Sequence, residues 1–172
     1  LPVGCDKKLG SAKKDDKCGI CGGDGTTCKT VEGFFDERNL TPGYHNIIRL
    51  PVGATSIRVE EIRPTTNSLA IKNASNYYFL NGNYQIELTD KDLDIGGTLF
   101  EYDTRKSLDH PFEKLTAKGP TTEELIIALL FQRGNRDSAI KYEFSVPLER
   151  DIPYMYLPGT WSTSSYPDAV LY

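Results

Sequence analysis

The stretch LIIALLFQRGNRDSAIKYEFSV, residues 125–146, decides the fold. Its first seven residues are all apolar and show no period of their own. Thr122 stands where a helix N-cap would, followed by Glu123 and Glu124, so a helix is one reading. The run is short, however, and Gly119-Pro120 before it and Gly134 after it bound it. A buried strand over residues 124–131 fits those limits better. After a turn over residues 132–138, residues 139–146 alternate apolar and polar, the pattern of a half-buried strand. Together the two strands read as a long central hairpin of a sheet.

Working outward, the same signals recur. Residues 56–62 alternate almost strictly, with Ile57, Val59 and Ile62 facing the core. A loop over residues 63–67 leads to residues 68–72, with Leu69 and Ile71 inward. Residues 77–80 and 84–87 are joined at Asn81-Gly82, a tight hairpin signal. Residues 31–35, 44–50, 98–103 and 112–117 are further strands, and residues 90–97 form an acidic, glycine-ended loop. Short strands with frequent turns and few helix-forming segments give an all-β protein, an antiparallel two-sheet sandwich.

All four cysteines lie outside that pattern, in CDKKLGSAKKDDKCGICGGDGTTC, residues 5–28. Only Leu9 and Ile20 could anchor a core there, among five glycines and a run of lysines and aspartates. Such a segment cannot offset its chain entropy by burial, so a covalent or metal link must hold it. Zinc prefers two separated CxxC knuckles and only one is present; disulfides are the better reading. A redox CxxC needs a strand-to-helix junction, whereas Gly22-Gly23-Asp24-Gly25 after Cys21 is a turn. A bridge within Cys18-Gly-Ile-Cys21 would close a very small ring. Two pairings remain open: Cys5–Cys18 with Cys21–Cys28, or the crossed Cys5–Cys21 with Cys18–Cys28.

Composition narrows the function. The net charge of −4 lacks the basic footprint of a nucleic-acid binder. The longest apolar run, residues 125–131, is far shorter than a membrane span, so no membrane insertion is expected. The chain opens with neither an initiator Met nor a signal peptide and reads as a fragment of a longer secreted protein, monomeric as a fragment. Sequons at Asn39-Leu40-Thr41 and Asn73-Ala74-Ser75 lie in turn-like surroundings that can accept a glycan, although Pro42 disfavours the first. No active site is evident. His45 and His110 have no nucleophile motif beside them, and neither HExxH, G-x-S-x-G nor a phosphate loop occurs. Asp90, Asp92 and Asp94 would face one way in an extended chain, yet the loop and closing glutamate of an EF-hand are missing. No metal and no cofactor are expected.

The cysteine segment, continuing into Lys29-Thr30-Val31-Glu32-Gly33, resembles the end of the cysteine-rich region of the ADAMTS superfamily. That superfamily takes in the secreted ADAMTS metalloproteinases, the ADAMTS-like proteins and papilin. The similarity to C-D-x-x-L-G-S…D-K-C-G-x-C-G-G-D-x-x-x-C is dense, and residues 29–148 resemble the spacer module that follows. The resemblance implies a jelly-roll sandwich, the crossed cysteine pairing, and an extracellular-matrix location. It divides the chain into a disulfide-stapled part (1–29), a spacer sandwich (30–150) and an exit linker (151–172). In that linker Trp161-Ser162 is similar to the opening of a thrombospondin type 1 repeat, with Ser164 in place of its cysteine.

Without catalysis, recognition falls to loops on a rigid scaffold. Two stand out: Arg63-Pro64-Thr65-Thr66-Asn67, and Gln132-Arg133-Gly134-Asn135-Arg136-Asp137. Arginine offers planar, multidentate hydrogen bonding, although loop tips are also polar simply for solubility. The resemblance implies use of such loops as exosites for a protease substrate or a matrix protein. A glycosaminoglycan or other carbohydrate ligand, and a purely structural spacer, are the rivals; neither loop contains an aromatic side chain.

Overall fold

The computed structural model describes residues 1–104, 109, 111–134 and 136–148. Ten strands carry the described chain: β1 (Cys28–Glu37), β2 (Gly43–Leu50), β3 (Thr55–Glu61), β4 (Ser68–Asn73), β5 (Tyr78–Leu80), β6 (Lys91–Ile95), β7 (Thr98–Asp103), β8 (Lys114–Ala117), β9 (Leu125–Phe131) and β10 (Ser138–Pro147). No helix occurs among the described residues. One sheet has the order β1-β10-β3-β8-β7-β6 and the other β2-β9-β4-β5. Every ladder is antiparallel. The pairs β1·β10, β2·β9, β3·β8 and β4·β5 alternate between the sheets. That is a rolled ribbon, the jelly-roll, with β6 and β7 widening one side.

The core is the space between the sheets. Val31, Phe35, Ile57, Val59, Phe100, Tyr102, Leu115, Ile140, Tyr142 and Phe144 fill it from the larger sheet. Ile48, Leu50, Leu69, Ile71, Leu125, Ile127, Leu129 and Phe131 meet them from the smaller. β9 is buried along its whole length, inside its sheet between β2 and β4. This explains an apolar run without alternation. Its outer residues Ile126, Ala128 and Leu130 sit between Arg49, Asn46 and Tyr44 of β2 and Lys72, Ala70 and Ser68 of β4.

Four expectations are corrected. β9 and β10 are not a hairpin: they lie in different sheets, and their connection crosses the sandwich. Both edges of β9 are taken by β2 and β4, and both edges of β10 by β1 and β3. Residues 84–87 form no strand, because Asn81 turns its side chain into the core instead of making a hairpin. Its Nδ2 donates to the Leu69 carbonyl at 2.8 Å and its Oδ1 accepts the Glu87 N–H at 2.7 Å. Ile62 is 43% exposed, and Glu61 takes the inward position that follows Ile57 and Val59 in parity. Glu61 Oε1 accepts the Glu113 N–H at 2.8 Å, which satisfies a carboxylate that the pattern alone would keep outside. Finally, the acidic stretch holds a strand, β6, with Leu93 and Ile95 buried and Asp92 and Asp94 outside.

The cysteine segment is tied to one end of the sandwich. Disulfides join Cys5 to Cys21 and Cys18 to Cys28, with Cα–Cα distances of 5.7 and 5.4 Å. Cys28 is also the first residue of β1, so the second bridge bolts the segment to the sheet. Thr55 Oγ1 and Ser56 Oγ both donate to the Lys17 carbonyl, at 2.8 and 2.9 Å. Within the segment Asp16 replaces a core: its carboxylate accepts the N–H groups of Cys18, Ile20 and Gly25 at 2.9, 2.9 and 2.8 Å. Those bonds, led by that from Ile20, hold its pKa below the usual 3.8.

Candidate functional site

β1 and β3 begin at the cysteine end and finish at the other, where β10 begins. β1 alone has ten residues, about 30 Å of extended chain between the two ends. The connections β1–β2, β3–β4, β5–β6 and β9–β10 therefore meet at the far end, and both loops singled out from the sequence are among them.

These loops touch. A Cβ added at Gly134 would lie 3.3 Å from Thr66 Oγ1, and Gly134 has a left-handed φ of +106°. The Leu40 N–H donates to the Arg136 carbonyl at 3.2 Å, which draws in the Asn39 turn. Pro64, Thr66, Gln132, Arg133 and Arg136 are exposed. Arg63 is half-buried and works inside the fold: its Nη2 donates to Asp36 Oδ1 at 2.6 Å and to the Ser138 carbonyl at 3.3 Å. Thr65 is buried, and its Oγ1 accepts the Asn67 N–H at 2.7 Å. Asn135 lies outside the described residues.

A third loop supplies what the first two lack. Gln132 Nε2 donates to the Tyr84 carbonyl at 2.7 Å, which sets an aromatic residue, 57% exposed, beside the β9–β10 loop. Asn81, Asn83 and Tyr84 have φ values of 55, 54 and 58°, left-handed for three non-glycine residues within four positions. Asparagine tolerates that conformation; tyrosine rarely adopts it. The Tyr44 hydroxyl holds the turn in place. It donates to the Asn81 carbonyl at 2.5 Å and accepts the Tyr84 N–H at 2.9 Å. The Tyr44 ring lies 4.6 Å from that of Tyr78 and 5.2 Å from that of Tyr84. Burial raises the pKa of Tyr44, so its proton stays available for the Asn81 bond. The sequence reading missed this cluster because Tyr44 and Tyr84 looked like ordinary strand residues. The one signal was two asparagines beside Gly82 ahead of an aromatic residue.

The remaining candidates separate. His45 Nε2, on β2, bonds the Thr41 carbonyl of the β1–β2 connection at 2.6 Å. His110 and the Trp161-Ser162 tail lie outside the described residues. Asp90 Oδ1 accepts from Thr104 N and Oγ1 at 2.8 and 3.1 Å, so it serves the β7 end rather than joining Asp92 and Asp94. All four cysteine sulfurs are in disulfides, leaving none to ligate zinc. Asn39 is exposed at the loop end, while Asn73 is the last residue of β4, at the opposite end. No helix of the described residues is long and apolar enough to cross a membrane.

Comparison with known proteins gives the context. The family model described as ADAM-TS Spacer 1 matches residues 30–147. Papilin of Caenorhabditis elegans is 58% identical over 165 residues, 96% of this chain and 7% of that protein. Human papilin is 43% identical over 95% of this chain and 13% of its own length. Human "A disintegrin and metalloproteinase with thrombospondin motifs 6" is 40% identical over 86% of this chain and 13% of its own. The chain thus spans only a small part of these relatives. The family match covers all ten strands from Thr30 of β1 to Pro147 of β10, and on it the chain belongs to the ADAM-TS spacer family.

Proposed function

We propose that this chain is a non-catalytic, extracellular binding module of a larger secreted ADAMTS-like or papilin-type protein. It engages an extracellular-matrix protein or a protease substrate through the loop end of its sandwich. The observation that carries the reading is the convergence of three loops on one exposed aromatic. Thr66 lies against Gly134, and Gln132 holds Tyr84 by its backbone. The loop that holds Tyr84 by its backbone also carries exposed arginines, and tyrosine and arginine are the residue types that dominate protein–protein hot spots. Left-handed backbone at Tyr84 is strain that only surrounding contacts maintain, and such strain concentrates at recognition sites. The cysteine segment, about 30 Å away, is the natural attachment point, so the loops face outward from the parent chain.

In this reading Arg133, Arg136 and Tyr84 contact the partner, with Pro64 and Thr66 at the rim. Arg63 and Thr65 shape the β3–β4 loop. The test is retention of the fragment on cell-deposited extracellular matrix. A Tyr84→Ala/Arg133→Ala/Arg136→Ala variant should lose at least tenfold in retention with an unchanged unfolding midpoint. Retention equal to wild type would instead favour the purely structural spacer. A glycosaminoglycan ligand would show as elution from heparin only at high salt.

A further inference from the structure

We propose that Asn73 carries an N-linked glycan whose first sugar lies on the ring of Tyr77, covering the free edge of β5. Three independent features point there. The first is the amide. Asn73 Oδ1 accepts the N–H groups of Ser75 and Tyr77 at 2.9 and 3.0 Å, which fixes the side-chain amide on the turn through its oxygen. The turn itself is closed by Asn76 N–H to the Asn73 carbonyl at 3.1 Å, with Asn76 left-handed at φ 63°. The sequon is therefore presented on a fixed turn.

The second feature is an exposed aromatic residue. Tyr77 is 63% exposed, and its ring is T-shaped to that of Phe79 with centroids 5.0 Å apart. Tyr77 stands directly across the hairpin from Asn73, since the Asn73 N–H donates to the Tyr77 carbonyl at 3.0 Å. Facing residues in a hairpin have Cβ atoms about 5 Å apart, the reach of one sugar ring. The apolar face of a hexosamine would bury the ring while its hydroxyls stay in water.

The third feature is space. A groove of about 450 Å³ begins at Asn76 and Tyr77 and runs beside β5 to Asn83, Gln85 and Glu87. Its volume is in the range that holds a small ligand, and its lining mixes aromatic with amide and carboxylate groups, as saccharides require. β5 is an edge strand of only three residues. An attached glycan is one way to keep such an edge from pairing with another chain. Asn73 ends β4 at the opposite end from the binding loops, whereas Asn39 stands among them.

The chemistry is transfer from a polyprenol-diphosphate oligosaccharide. The bond between sugar C1 and the diphosphate oxygen breaks, a bond from C1 to Asn73 Nδ2 forms, and the amide proton leaves with the diphosphate. The test uses the chain secreted from a eukaryotic cell. Peptide mass spectrometry should find Asn73 modified. Ser75→Ala removes the sequon but keeps the Asn73 turn, since Ser75 contributes only its backbone N–H. The glycosylated protein should melt about 2–4 °C above Ser75→Ala, the shift expected for one new stacking contact in a chain of this size. Trimming to a single sugar should preserve that gain, and Tyr77→Ala should abolish it. An unmodified Asn73, or a gain that survives Tyr77→Ala, overturns the proposal.

Discussion

Replacing Tyr44 by phenylalanine removes one oxygen and keeps the ring. That oxygen makes two bonds, to the Asn81 carbonyl at 2.5 Å and from the Tyr84 N–H at 2.9 Å. Each such bond contributes about 0.5–1.5 kcal/mol net. Water can reach the exposed Tyr84 amide after the substitution, so the loss falls in the lower half of the summed range, about 1–2 kcal/mol. The turn it restrains holds three left-handed non-glycine residues, each disfavoured by about 1 kcal/mol or more. Without the hydroxyl those residues relax, while the stacking of the Tyr44 and Tyr78 rings at 4.6 Å persists. Urea unfolding should show the midpoint fall with an unchanged slope, and melting should drop by about 2–4 °C per kcal/mol. Matrix retention should fall about tenfold, because about 1.4 kcal/mol of preorganisation is lost. A Tyr44→Phe protein with wild-type stability and retention would refute the assignment of the hydroxyl as the clamp.

Other consequences follow from the same geometry. Glu113→Ala strips the acceptor from the Leu69 amide and the Tyr102 hydroxyl inside the core, and should destabilise by about 3 kcal/mol or more in chemical denaturation. The depressed pKa of Asp16 means that its contribution is present above 3.8 and lost as pH falls through the lower folded value; the Ile20 and Gly25 amide resonances should then move while core resonances stay. Converting Cys5 and Cys21 to alanine should loosen residues 1–25 to proteolysis yet leave the sandwich melting point nearly unchanged, since Cys18–Cys28 still fastens the segment to β1. Gly119→Ala should misfold or melt far lower, because the new Cβ would sit 2.1 Å from the Ala54 carbonyl oxygen at a φ of +74°.

Strand identity was legible in the sequence wherever one face is solvated. In 56–61 the period of two survives and places Ile57 and Val59 inward, and in 139–146 it marks the strand. Ile62 is out of the parity of Ile57 and Val59 and stays exposed, while Glu61 keeps it by finding a buried partner in Glu113, which no local pattern encodes. In β9 both faces are covered, so only length and flanking glycines favoured a strand over a helix. Strand partners were not legible: adjacency in sequence suggested a β9–β10 hairpin, but the sandwich is closed by β2·β9 and β1·β10, contacts between residues about a hundred positions apart in the chain. The loops at 63–67 and 132–137 were visible by composition. Their meeting point with Tyr84 was not, since it depends on the Tyr44 hydroxyl and the Gln132 amide reaching across the fold.

The most direct test of the loop-end surface is hydrogen–deuterium exchange of the fragment, free and bound to the matrix fraction that it retains. Slowed exchange confined to residues 63–67, 81–88 and 132–137 is the predicted result. Protection that appears instead on the β6–β7 hairpin or the cysteine segment, with those loops unchanged, would contradict it.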